Sequence, residues 1–227
     1  MSEQTRRLTI RFAIVAVFSI AMAWVESAAV VYLRMLVNRV EPYQAAPLPI
    51  VSSLGATEIV REAATMIMLL TVGWLAGGSW KSRLGYFMCA FGLWDIFYYL
   101  FLKIIVGWPH SLLDWDVLFL IPLPWWGPVL APILVSLALI AVGNFLTLTD
   151  VHDPSVRARR IAWVFHLCGI FLALYVFMAH SIQVLQEGSR GVIEKLPSYF
   201  NWPLFIIALF FFIMPVVDAG RRSRKIK

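Results

Sequence analysis

The sequence predicts an all-α, polytopic membrane protein in which six transmembrane helices form one domain over residues 1–227. Three observations lead there. The first is composition: 61% of the chain is hydrophobic and 14% charged, with a mean hydropathy of +0.80, whereas soluble domains are roughly 25% charged. The second is a series of apolar runs long enough for a ~30 Å hydrocarbon core, which takes ~20 helical residues. The third is a one-sided distribution of basic residues in the segments between those runs. Backbone groups in lipid must bond internally, and no run alternates as a barrel strand would, so the runs are expected to be helices.

The first run, "RRLTIRFAIVAVFSIAMAWVESAA", has the basic flank and apolar centre of a secretory signal. Apolar character resumes after Glu26 in "SAAVVYLRML", so a retained first helix is expected. Five further spans are read at about Ile59–Trp80, Leu84–Val106, Trp126–Leu148, Ile161–Val184 and Trp202–Val217. Cys89 and Cys168 both fall inside apolar runs, so the chain has no disulfide framework and no Cys-based metal cluster.

Orientation follows from the basic residues. Arg6, Arg7 and Arg11 precede the first span, Lys81 and Arg83 follow the second, Arg157, Arg159 and Arg160 follow the fourth, and Arg221, Arg222, Arg224, Lys225 and Lys227 end the chain. These are 13 of the 19 basic residues; the opposite loops hold only Arg39, Arg190 and Lys195. Both termini are therefore expected in the cytoplasm, in the inner (cytoplasmic) membrane. The net charge of +6 is accounted for by topology and anionic lipid, so no nucleic-acid partner is expected.

Between the third and fourth spans lies "GWPHSLLDWDVLFLIPLPWWGP", residues 107–128. Ser111 with Asp114 three residues on resembles a helix N-terminus, and Pro122 and Pro124 would stop the helix. A short interfacial helix is expected here, lying as a lid over the outer helix ends, with His110, Asp114 and Asp116 as candidate pocket residues. Trp108, Trp115, Trp125 and Trp126 match an aromatic belt.

Ionisable residues within the spans concentrate toward their outer halves. Glu58, Arg61 and Glu62 share one face of the second span, and Asp95, Tyr99 and Lys103 lie at successive four-residue steps on the third. Glu26 and Arg34 lie toward the outer end of the first span and His180 toward that of the fifth. An intramembrane charge costs about 2.5–3.5 kcal/mol even on the lenient insertion scale, so such residues face the bundle interior and pair. The expectation is one inward polar cluster of buried ion pairs, open to the outer side, with Arg61 as main counter-charge to Glu58 and Glu62. Its role is read either as structural or as binding an ion or polar ligand; no metal is assigned.

His166 and His180 lie fourteen residues apart on one span, about 21 Å along a helix and nearly on the same face. This spacing resembles the helix of b-type cytochromes that holds two stacked haems, with Ala173 and Phe177 between. The resemblance implies b haem ligated by His166 and His180, but a second helix with matching histidines is missing; only His110 and His152 remain. Ser79 in "GGSW" lacks the glycine that follows the nucleophile of rhomboid-like proteases, and "EIVRE" lacks the paired glutamates and histidine motifs of CAAX-type proteases. No complete catalytic set is present, and no P-loop or dinucleotide signature.

The leading functional expectation is a non-catalytic, multi-pass inner-membrane subunit of a larger assembly, of the respiratory or electron-transfer kind, with lipid and other membrane subunits as partners. The alternatives are a b-haem electron carrier and a small cation- or proton-coupled permease.

Overall fold

The structure is a computed structural model and describes residues 3–36, 41–43, 52–151, 158–187 and 196–226. Arg39, His152, Arg157, Arg190, Lys195 and Lys227, used above, lie outside the described residues. The chain runs α1 (Glu3–Leu36), α2 (Ser52–Ala76), α3 (Trp80–Val106), β1 (Trp115–Val117), β2 (Trp126–Pro128), α4 (Leu130–Val151), α5 (Arg160–Gln186), α6 (Trp202–Phe212) and α7 (Met214–Ile226). Among the described residues, five helices are long and apolar enough to cross a membrane, or six spans result if α6 and α7 cross as a bent pair.

The expected sixth span, Trp202–Val217, is broken between α6 and α7. The two helices meet at 44° beside Pro215, which offers no N–H and crowds the carbonyl one turn back. Alone, the 11 residues of α6 rise only about 16 Å, too short to span.

Helix α3 is the hub, with α1, α2 and α4 all packed on it. Its contact with α4 is close because small residues meet. A Cβ on Gly85 would fall 2.7 Å from the Gly143 carbonyl, and one on Gly92 would fall 2.5 Å from that of Ser136. On the other side Val15 and Ala23 of α1 and Leu69 of α2 bury against Tyr86, Ala90 and Trp94. Ser79 caps α3, exchanging hydrogen bonds with Ser82, and its hydroxyl also donates to Asp150 at 2.6 Å. A capping and tethering role therefore accounts for this serine.

Helix α5 packs chiefly on α6, where Gly169 lets the backbone at Ala208 and Phe212 approach. The α5–α6 pair joins the rest through α4 and through β2. The helices thus form an open array: α2 rests almost wholly on α3, and α5 on α6 and α7.

The expected short helix between the third and fourth spans is corrected: residues 115–128 form an antiparallel two-stranded ribbon, Asp116 opposite Gly127. Asp114 does not continue a helix but accepts the N–H groups of His110 and Ser111, closing a turn back on itself. Trp115, Asp116 and Val117, two of them good strand formers, then pair with β2. Because Trp126–Pro128 is spent on the ribbon, the fourth span starts at Leu130, not at Trp126 as expected.

Candidate functional site: a polar cluster under the ribbon

The ribbon lies across one end of the helix array, and the intramembrane charges gather beneath it. Arg61 on α2 is the centre of one group. Its guanidinium pairs with Glu26 on α1 and makes two hydrogen bonds, 2.8 and 3.0 Å, to Glu58 one turn earlier. Thr65, one turn further along α2, donates to the second oxygen of Glu26 at 3.1 Å. The side chains of Arg61, Glu26 and Glu58 are 23%, 11% and 16% exposed, so the group is largely withdrawn from solvent.

Glu62 departs from the expected pairing. Its carboxylate accepts the backbone N–H of Leu120, in the ribbon loop, through both oxygens at 2.9 and 3.1 Å. The α2 face that carries Arg61 therefore also anchors the ribbon. A buried backbone N–H needs an acceptor, and the loop's irregular backbone finds one in this carboxylate.

A second group forms around Asp116 of β1, which is 1% exposed. Arg34 on α1 reaches it at 3.2 Å, Tyr99 on α3 donates its hydroxyl at 3.2 Å, and the N–H of Val117 donates at 2.9 Å. Arg34 also lies over the Trp108 ring, 4.7 Å from its centroid, a cation–π contact. Burial pushes the Asp116 carboxyl above the usual carboxylate range, opposed first by Arg34 and then by the Tyr99 hydroxyl.

Asp95 sits on the α3 face toward α4, buried, and accepts the hydroxyl of Ser136 at 2.8 Å. The structure thus brings Glu26, Glu58, Arg61 and Glu62 together, sets Arg34, Tyr99 and Asp116 beside them under the same ribbon, and places Asp95 one step deeper.

Two expected members lie elsewhere. Lys103 turns to the Gly107 carbonyl at the exposed C-terminus of α3. His180 lines a cavity between α5 and the segment 197–201 that leads into α6, and its walls include none of the cluster's charged residues. Of the lid residues, His110 pairs at the surface with Glu41 and Asp114 closes its turn, so only Asp116 faces the cluster. Sequence reasoning did not single out Thr65, Ser136 or the Leu120 N–H. They are neutral groups that matter only through long-range contacts, and spacing along the chain carries no trace of those.

The two histidines sit in different surroundings. His166 is buried, bonds the Phe212 carbonyl through Nδ1 and packs against the Trp163 and Phe212 rings. Ala173 and Phe177, between the two histidines, are buried as well, with Phe177 against Trp125, Phe200 and Phe205. Helix α6 packs on the face of α5 that carries His166 and Phe177. Among the described residues, no group of three His, Cys, Asp or Glu side chains is arranged to hold a metal ion.

The chain matches no family model, no curated protein and no solved structure. What fold and geometry define is a class: a multi-pass helical membrane protein with a β-ribbon strapped by buried charges over one end of its helices.

Proposed function

We propose that this chain is a non-catalytic integral subunit of a larger assembly in the inner membrane, of the respiratory or electron-transfer kind. Both termini lie in the cytoplasm and the ribbon faces the outer compartment, an orientation supported by the clustering of basic residues described above. The observation that carries the reading is the openness of the array. Helix α5 is backed on one side by α6 and α7. On the other it presents Val164, Leu167, Phe171 and Tyr175, at helical spacing and 52%, 53%, 69% and 52% exposed. Each carboxylate under the ribbon meanwhile has a hydrogen-bond or ionic partner within the chain. The cluster's charges are engaged in holding helices and ribbon together, as a scaffold requires.

A photo-crosslinking residue placed at Phe171 in the native membrane tests this. The expected product is a discrete adduct with a second polypeptide; adducts with lipid alone would overturn the reading.

One observation favours a second reading, a small cation- or proton-coupled permease. Among the described residues, Glu26, Glu58, Glu62, Asp95 and Asp116 are grouped with Arg34 and Arg61, three more carboxylates than guanidiniums. Proton-coupled flux in liposomes that Asp95→Asn abolishes would establish that reading in place of the first.

A further inference from the structure

The cavity between α5 and the segment 197–201 that leads into α6 has a volume of about 380 Å³, within the usual range for small-molecule sites. It lies under the ribbon side of the α5–α6 pair, with Trp115 of β1 and Trp126 of β2 completing its wall. Aromatic rings shape it. Trp115 meets Phe200 edge-on at 6.2 Å, and Phe177 packs against Phe200 at 5.8 Å. The polar groups on its wall are the imidazole of His180, the amides of Gln183, Gln186 and Asn201, and the hydroxyls of Ser198 and Tyr199. No Asp, Glu, Lys or Arg is among the described residues that line it.

That lining selects a ligand chemistry. Aromatic walls accept a flat ring, and the amides and hydroxyls accept from or donate to its polar substituents. Depth selects the route of entry. His180 is twenty residues beyond Arg160, about 30 Å along the helix, one hydrocarbon thickness away. The rim residue Tyr199 is 73% exposed, so the cavity is open along that edge. Ala179 lies on its wall, where a larger side chain would fill it.

We infer that this cavity binds the uncharged ring of a lipid-soluble molecule of the quinone class, its apolar tail running into the bilayer. The inference stands on the cavity alone and extends beyond the subunit assignment.

The test is equilibrium binding of decylubiquinone, a short-tailed benzoquinone, to the full-length chain in lipid nanodiscs. Saturable binding of one molecule per chain is expected, weakened at least tenfold by Ala179→Phe, which fills the space. Gln183→Leu, at an exposed position that tolerates change, is expected to weaken binding several-fold, so the result does not depend on the folding of one variant. Uptake that rises linearly and equally in all three proteins would be partition into lipid and would overturn the inference. Equal displacement by decyl glucoside would overturn it as well, pointing to a sugar-headed lipid. Neither outcome alters the crosslinking result at Phe171, so the two readings fail separately.

Discussion

Replacing Arg61 by alanine leaves Glu26 and Glu58 facing each other without the guanidinium they share. Removing one partner of a buried pair costs roughly 3–5 kcal/mol, because the remaining charge stays desolvated. Two carboxylates lose their counter-charge at once here, Glu26 keeping only the Thr65 hydroxyl, and their side chains are only 11% and 16% exposed, so the upper end, about 5 kcal/mol, is expected. For a chain of this size each kcal/mol moves the melting midpoint by about 2–4 °C, which gives a fall of roughly 10–20 °C. Arg7→Ala is the control: its pair with Glu3 is 72% and 76% exposed, and surface pairs contribute about 0–1 kcal/mol. Thermal unfolding in mild detergent, followed by the monodisperse peak on size exclusion, reads both. Adding Glu26→Gln to Arg61→Ala should recover several degrees. Adding Glu62→Gln should recover less, because Glu62 is held by the Leu120 N–H and its interaction with Arg61 is secondary. Melting of Arg61→Ala within a degree or two of Arg7→Ala would refute the buried cluster.

The remaining predictions are these. Burial raises the Asp116 carboxyl, so its contribution to stability is fully present below the unfolded value of about 3.9 and is lost as pH rises through the folded one. Melting across pH 4–7 should therefore show wild type losing ground to Asp116→Asn as pH increases; a gain instead would mean that Arg34 outweighs burial. Gly143→Ala puts a Cβ 2.5 Å from the Gly85 carbonyl and should cost about 1–3 kcal/mol by forcing α3 and α4 apart, read as lower folded yield. Ser181→Ala removes the donor to the buried Pro124 carbonyl, 2.6 Å away, with an expected loss of about 1–3 kcal/mol; unchanged melting would mean that the ribbon loop is not fastened to α5.

The spans were legible because length and hydropathy are local properties that a ~30 Å core imposes directly. The ribbon was not. "LLDWDVLFLI" is an apolar stretch of the length at which helix and strand cannot be told apart by periodicity, and its strand character depends on pairing with Trp126–Pro128. The paired prolines in "PLPWWGP" and the Gly127 that fits beneath Phe177 are the signals that would have favoured a hairpin. Pro215 lay inside an otherwise continuous apolar run, and hydropathy alone does not register a break there. In the cluster, the facing of Glu58, Arg61 and Glu62 follows from helical spacing, but the choice of Glu26 for Arg61, Leu120 for Glu62 and Asp116 for Arg34 is made by contacts between elements.

The assignment to a larger assembly is tested most directly by the mass of the particle extracted from native membrane with its lipid annulus. The account predicts a species heavier than the 25.8 kDa chain, with a second polypeptide in fixed stoichiometry that dissociates when Phe171 and Leu167 are replaced by lysine. A particle containing only the 25.8 kDa chain and lipid, unchanged by those substitutions, would contradict it.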